Sequence, residues 1–234
     1  MTTFDPQSLS PEQLAQQLRL PLGHQGQSIA EAMNHSNHAI NQSCIAKIKL
    51  PPEAKVPRLL EIGPGNAGFL DRILETHPHL QYTGLDWSQD MVDLAGQQHA
   101  SKIATNQAQF LQGEAHRLPF SRNSFDGVLT VNTLYFWPDL NKTLQAIFSV
   151  LKPGGQLVLG FGDKTFMAQM SFTDHGFLLY SPETVIQALE ACGFTGLEHN
   201  EHHGTGKSNT GKTVKKHFHC ITAKAAKRPE GNMI

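Results

Sequence analysis

The feature that most constrains this chain is a repeated change of hydrophobic period between residues 58 and 162. Short apolar runs, RLLEIG (58–63), YTGLD (82–86), AQFLQG (108–113), FDGVLTV (125–131) and QLVLGFG (156–162), follow one another in order. Between most of them lie segments with helical spacing, at about 67–76, 88–100 and 139–151. Strand and helix in alternation predict a parallel sheet with helices on both faces. The 234 residues suffice for one such domain with a sizeable core, or at most two small ones.

Both flanks depart from this alternation. Ser10 to Gln13 (SPEQ) is a capping box with Pro11 at the first helical position, and Pro21 ends that short helix. A longer helix is predicted from about Gln27 to Lys49, with Ile29, Met33, Ile40, Cys44 and Ile48 on one side and Pro51 and Pro52 as its stop. Opposite that apolar side, Asn34, Asn37, His38 and Asn41 stand at i, i+3, i+4 and i+7. A solvated face usually carries lysine and glutamate; this one is amide and imidazole until Lys47, so pocket lining and ordinary surface both remain open for it. The turn before it, PLGHQGQ (21–27), is a candidate hinge. At the other end, Ser181 caps a helix with Pro182 behind it and Gly193 after it. Strand-like pieces at about 194–202 and 213–223 close the pattern.

Two glycine-rich loops compete for a phosphate or cofactor. GKSNTGKT (206–213) satisfies the P-loop pattern G-x-x-x-x-G-K-[ST]. A working P-loop leaves a strand and opens a helix, whose N-terminal amides hold phosphate. TVKKHFHCITA follows instead, with β-branched and aromatic residues at strand spacing, so the stretch reads as a hairpin tip. EIGPGNAG (61–68) does lie between strand and helix, and Gly63, Gly65 and Gly68 fit G-x-G-x-x-G. About 20 residues on, Asp86 ends the next strand, where an acid can accept ribose hydroxyls or cap a helix beside Ser88. Glu61, two residues before Gly63, favours an ammonium-bearing ligand there over a pyrophosphate, which it would repel.

Charge and cysteine usage narrow the classes further. Charged residues make up 17% of the chain and the net charge is −1, which gives no general pull toward nucleic acid or anionic membrane. No apolar run is long enough to span a membrane, and the N-terminal MTTFDPQSLSPEQ lacks the basic start and apolar run of a signal peptide. With three widely separated cysteines and no CxxC, a reducing, cytoplasmic setting is expected. His199, His202, His203, His217, His219 and Cys220 cluster around the terminal hairpin, and His217 and His219 share a strand face. They lack the ordered spacing of a zinc motif, and no metal is expected from the sequence. The lysines of the last thirty residues read as protection of an exposed edge strand instead of an RNA-binding edge.

Taken in order, these stretches resemble the class I S-adenosylmethionine-dependent methyltransferases, especially their small-molecule branch, over about residues 55 to 223. LLEIGPGNAG resembles the family's first motif, GLDWS its second-strand acid, and GEAHRLPF its adenine-side motif; FDGVLTVNTLYFWPD and LKPGGQLVL resemble its fourth-strand segment and fifth-strand entry. The resemblance implies an α/β, Rossmann-like fold: a seven-stranded, mostly parallel sheet with a C-terminal antiparallel hairpin. It also implies an N-terminal helical lid over residues 1–52 on a core of 53–234. The implied cofactor is S-adenosyl-L-methionine, with Glu61, Gly63 and Gly65 around its methionine half. Asp86 would hold the ribose, Trp87 one adenine face, Glu114 and Ala115 the adenine edge, and Asn132 and Thr133 the sulfonium. Aspartate is frequent in the family where this chain has Glu114. Asn34, Asn37, His38 and Tyr135 would line the space for a small-molecule acceptor.

Methyl transfer from a sulfonium is an in-line displacement with a good leaving group, so positioning can supply much of the rate and a general base is needed only for a protonated acceptor. Tyr135 and His175 are the residues considered for acid–base work; packing in a helix top and plain loop exposure are their structural alternatives. Two rival functions use the same glycine loop: a nicotinamide-dependent oxidoreductase, and a module that binds S-adenosylmethionine without turnover.

Overall fold

In the computed structural model, which describes residues 8–207 and 212–226, β1 (Arg58–Ile62) pairs in parallel with β2 (Gln81–Asp86) on one side and β4 (Phe125–Val131) on the other. β3 (Ala108–Gln112) extends the β2 edge and β5 (Leu151–Gly162) the β4 edge, both in parallel. β7 (Thr213–Ala225) then runs antiparallel to β5, and β6 (Phe194–Lys207) antiparallel to β7. The order is β3-β2-β1-β4-β5-β7-β6, the seven-stranded, mostly parallel sheet that was expected. β7 begins at Thr213 directly after GK, so a strand and not a helix follows the GKSNTGKT stretch. That excludes a P-loop; residues 208–211 of the stretch lie outside the described residues.

Helices cover both faces because their apolar stripes match the two faces of the sheet. On one face lie α7 (Leu140–Val150) and α9 (Pro182–Ala191), which bury Leu144, Ile147, Val185 and Leu189. Asp139 and Ser181 cap them by accepting the amides of Lys142 and Thr184. The other face is covered by α3 (His38–Ile45), α4 (Leu70–Thr76) and α5 (Gln89–Gln98). There α3 buries Ile40, Cys44 and Ile45. Its approach depends on Gly160 of β5, since a Cβ at that position would stand 2.5 Å from the Cys44 sulfur. Among the described residues no helix is long and apolar enough to cross a membrane.

The N-terminal region differs from the sequence expectation. The helix predicted from Gln27 to Lys49 is two helices, α2 (Gly23–Ser36) and α3, broken at Asn37 with φ −95° and ψ 8°. α1 (Pro11–Arg19) precedes them with the predicted capping box at Ser10 and Gln13. Because α3 belongs to the helical layer of the sheet, α1 and α2 are the N-terminal helices left beside its carboxyl edge. A buried side chain straps the region down: Gln156 of β5 donates through Nε2 to the Lys47 carbonyl at 3.1 Å and accepts the Lys49 amide at Oε1 at 2.7 Å.

Replacing Gln156 by Leu removes both hydrogen bonds, each worth about 0.5–1.5 kcal/mol net. A loss of about 2 kcal/mol is expected, read as a thermal midpoint lowered by roughly 4–8 °C. An unchanged melting curve would show that residues 47–49 are held by something else.

Candidate active site

The sheet order reverses between β1 and β4, and ligands of open α/β sheets bind outside the carboxyl ends of the strands at such a switch point. The glycine loop leaves β1 there. Gly63 turns with φ 69° while its amide donates to the Leu85 carbonyl at 2.8 Å. Gly65 has φ 59°, and its amide donates to Oδ2 of Asp86 at 2.8 Å. The other oxygen of Asp86 accepts the Ser88 amide at 2.9 Å. Asp86 thus holds the loop and shapes the start of α5 together, and each of its oxygens keeps a lone pair for a further donor. Gly68, third in the motif, serves a different need: a Cβ there would collide with the amide of Asn34 on α2, which donates to Asn66 Oδ1 at 2.9 Å. Ala67, which the motif leaves unspecified, takes the left-handed conformation with φ 54°.

Two carboxylates are buried at this loop. Glu61 is 6% exposed and Asp86 8%. Burial pushes the Glu61 pKa up to about 7; the hydrogen bond from the Tyr82 hydroxyl, 2.7 Å to Oε2, pulls it down and the charge of Asp86 pushes it up. Asp86 is also raised by burial, against the pull of the Ser88, Gly65 and Trp87 amides. Tyr82 is raised well above the usual phenol range, by burial first and then by the neighbouring Glu61. A cationic group placed here would relieve the charge that burial penalises.

These groups border a cavity of about 880 Å³, at the upper end of the range for small-molecule sites. Glu61, Gly63, Gly65, Asp86, Trp87, Glu114, Ala115, Asn132 and Thr133 all line it. Strand order sets their sequence along the sheet edge, with the β2 and β3 loops on one side of the glycine loop and the β4 loop on the other. Trp87, 38% exposed, has the Arg19 guanidinium of α1 5.2 Å from its ring centroid. Asn132 takes φ 57° at the end of β4, and Thr133 is hydrogen-bonded to Thr130. Beyond them, on the β5 side, come Phe166, Met167, Met170, Phe172 and Phe177, while α1 and α2 close the cavity with Leu14, Leu18, Ile29 and Met33.

Of the predicted acceptor-side residues, Asn34, Asn37 and Tyr135 line the cavity, and His38 and His175 do not. The break at Asn37 turns the stripe, so His38 leaves it and its ring lies 6.0 Å from that of Phe69. His175 is exposed, following the 3-10 turn Ser171–Asp174. Tyr135 is buried, and its hydroxyl accepts the Gly162 amide at 2.5 Å and donates to Asn132 Oδ1 at 3.2 Å. Burial raises its pKa strongly, so this hydroxyl positions the Asn132 loop against β5 and is not poised to exchange a proton. The sequence reading did not name Arg19, Met33 or Lys216 as cavity residues, although all three line it. Trp137 lines it too, and its buried indole Nε1 has no hydrogen-bond partner among the described residues.

Residues 60–159 match the family model described as a methyltransferase domain. A fatty-acid O-methyltransferase of Mycolicibacterium smegmatis is 36% identical over 98 residues, which is 42% of this chain and 34% of that protein. A demethylmenaquinone methyltransferase of Desulfitobacterium hafniense is 41% identical over 78 residues, 33% of this chain and 31% of that protein. The matches therefore span about a third of the length of these relatives. Phosphoethanolamine N-methyltransferase 2 of Haemonchus contortus, solved in complex with S-adenosyl-L-methionine, has a TM-score of 0.67 and 16% identity, covering 93% of this chain and 60% of that one; at this identity the likeness speaks to the fold. The nicotinamide alternative loses its support here, because the two-halved dinucleotide fold continues with a sixth parallel strand where this sheet has antiparallel β7. Motif order, strand order and the family model point the same way: residues 60–159 are similar to a methyltransferase domain, on a sheet of the order that the resemblance implied.

Proposed function

We propose that this protein transfers the methyl group of S-adenosylmethionine to a small, predominantly apolar acceptor. The observation that carries the reading is the pair of buried carboxylates, Glu61 of β1 and Asp86 of β2, that flank one glycine loop at the switch point. They suit a ligand with a positively charged amino-acid end and ribose hydroxyls, and they disfavour a diphosphate. When bound, that cosubstrate supplies an electrophilic methyl carbon on a sulfonium, open to in-line attack. Gly63 and Gly65 leave the space that its methionine half needs; at Gly63 a Cβ would already collide with Thr133.

In this reading Glu61 receives the ammonium, Asp86 the ribose hydroxyls, and Trp87 one adenine face opposite Arg19. Glu114 and Ala115 border the adenine edge, and Asn132 and Thr133 the reacting sulfur. The apolar wall of Met33, Met167, Met170, Phe172 and Phe177 fits a hydrophobic acceptor, in keeping with the acceptors in the names of the two bacterial relatives. The chain's part in the reaction is to hold the nucleophile near the methyl carbon, in line with the breaking bond, which can supply several kcal/mol of barrier reduction. α1 and α2 act as the lid. Their pivot at 21–23 is pinned to α5, where the Gly23 amide donates to Asp90 Oδ2 at 2.6 Å and Ser88 Oγ to the Pro21 carbonyl at 2.5 Å. The setting is cytoplasmic and the partner a small molecule, not nucleic acid.

Titration with S-adenosylhomocysteine should give one site, and Asp86→Asn should weaken it about 10- to 100-fold, the worth of hydrogen bonds to a charged group. Incubation with S-adenosylmethionine and a panel of fatty acids and quinols should release S-adenosylhomocysteine and a methylated product. Binding with no product from the panel would leave a non-catalytic module, and absence of binding would remove both readings.

Glu61 also sets a pH dependence. Its folded pKa, about 7, lies above its ordinary 4.5, so its contribution to stability is fully present below 4.5 and is lost as pH rises through about 7. A ligand ammonium favours the ionised carboxylate, so affinity for S-adenosylhomocysteine should climb as pH rises from 6 toward 8, by at most about tenfold per pH unit. Glu61→Gln should flatten the profile. A pH-independent affinity in the unaltered protein would place the ammonium elsewhere.

A further inference from the structure

Beside the cavity, on the sheet face opposite α3, six ionisable side chains form one continuous array across three strands. His217 and His219 alternate along β7, His199, Glu201 and His203 alternate along β6, and Asp163 follows directly after the end of β5. Antiparallel pairing sets Phe161 opposite His219 and His203 opposite His217, which carries Asp163 to the two histidines of β7. The Asp163 amide donates to the His217 carbonyl at 3.0 Å and fixes that approach.

We propose that Asp163, His217 and His219 bind one divalent first-row transition-metal ion, zinc being the probe of choice. A ligand atom from each of the three lies within 4.8 Å of the other two. Asp163 Oδ1 is 3.3 Å from His217 Nδ1, and Asp163 Oδ2 is 3.3 Å from His219 Nε2. Those separations are long for charge-assisted hydrogen bonds, which run about 2.7–2.9 Å. Taken singly, each is close to the roughly 3.4 Å between neighbouring ligands of a tetrahedral ion held at about 2.1 Å; because they involve different oxygens of Asp163, the carboxylate would meet the ion with both oxygens or turn to present one.

The outer nitrogens strengthen the assignment. His217 Nε2 lies 2.6 Å from Glu201 Oε1, and His219 Nδ1 lies 3.1 Å from His199 Nε2. Each ring is thereby held from its far side, the arrangement that orients histidines on a metal. His217 meets a carboxylate at both nitrogens, and a neutral imidazole can donate to only one of them. An ion on the inner side resolves this without a second proton. Asp163 Oδ1 additionally accepts the Phe166 amide at 2.8 Å, which fixes the carboxylate, and His219 is 2% exposed, which limits competition from water. Two imidazoles and one carboxylate suit zinc, iron, cobalt or nickel above magnesium or calcium. With three protein ligands the ion keeps free positions, and His217 also lines the cavity, so these positions border the space assigned to the acceptor. Metal binding itself stands independently of methyl transfer.

The test uses the tag-free full chain, stripped with chelator, desalted and titrated with zinc alone, with bound metal counted by elemental analysis. One equivalent is expected. Asp163→Asn and His219→Gln should each weaken binding ~100-fold or more while S-adenosylhomocysteine still binds. His203→Ala should leave zinc binding unchanged, because the second possible grouping, Glu201, His203 and His217, is exposed and shares only His217 with the proposed site. Loss of the metal in His203→Ala with retention in His219→Gln would assign the ion to that outer grouping and overturn the proposal. Cobalt loading of the unaltered protein adds a readout independent of any variant's folding. The intense visible bands of a four- or five-coordinate ion are expected, and a spectrum no different from hydrated cobalt would overturn the site, as would absence of stoichiometric zinc.

Discussion

The bond from the Gly65 amide to the Asp86 carboxylate joins the loop after β1 to the end of β2, and the site is built outward from it. Together with the bond from the Gly63 amide to the Leu85 carbonyl, it fixes a turn whose glycines Gly63 and Gly65 take positive φ. The same carboxylate receives the Ser88 amide. Ser88 in turn caps α5 and donates to the Pro21 carbonyl, at the pivot between α1 and α2. One acid therefore ties the loop, a sheet-layer helix and the cover over the cavity into a single arrangement. A helix-capping role and a ligand-holding role do not compete at Asp86, because a carboxylate has acceptor sites for both.

Burial gives this loop its chemical character. Burial first, and the neighbouring charge of Asp86 after it, raise the pKa of Glu61. The Tyr82 hydroxyl offsets only part of the cost. A site in that state gains when a cation enters and loses when an anion does. The glycine pattern alone is shared with dinucleotide-binding proteins; the acid two residues before its first glycine separates the two ligand classes. The distinction is electrostatic, not geometric.

Much of this was legible in the sequence, for reasons that differ by element. β1, β2, β4 and β5 show as apolar runs because both their faces are covered. The glycine loop shows because positive φ restricts residue choice, and Gly68 shows although its reason, the approach of Asn34, is tertiary. The break at Asn37 was not legible: neither proline nor glycine marks it, and the residues on both sides keep helical spacing. From that one break follow the departure of His38 from the polar stripe and the transfer of α3 to the sheet layer. Nothing local in the sequence marks Asp163 as a neighbour of His217, since the two are brought together by the register of β5 with β7.

That register also explains why the hairpin matters to the site at all. An antiparallel β7 starts at the carboxyl edge of the parallel strands, so its first residues, Val214 to Phe218, reach the cavity although the strand lies three places from β1 and its glycine loop. A parallel strand in the same place would present its end there and could bring no hairpin partner with it. Antiparallel pairing delivers β6 as well, and with it the outer carboxylate and imidazoles behind His217 and His219. The terminal hairpin thus supplies one wall of the cavity with polar side chains, where α1, α2 and the 166–177 segment supply mostly carbon. The cavity therefore combines an apolar body with a polar wall at β7.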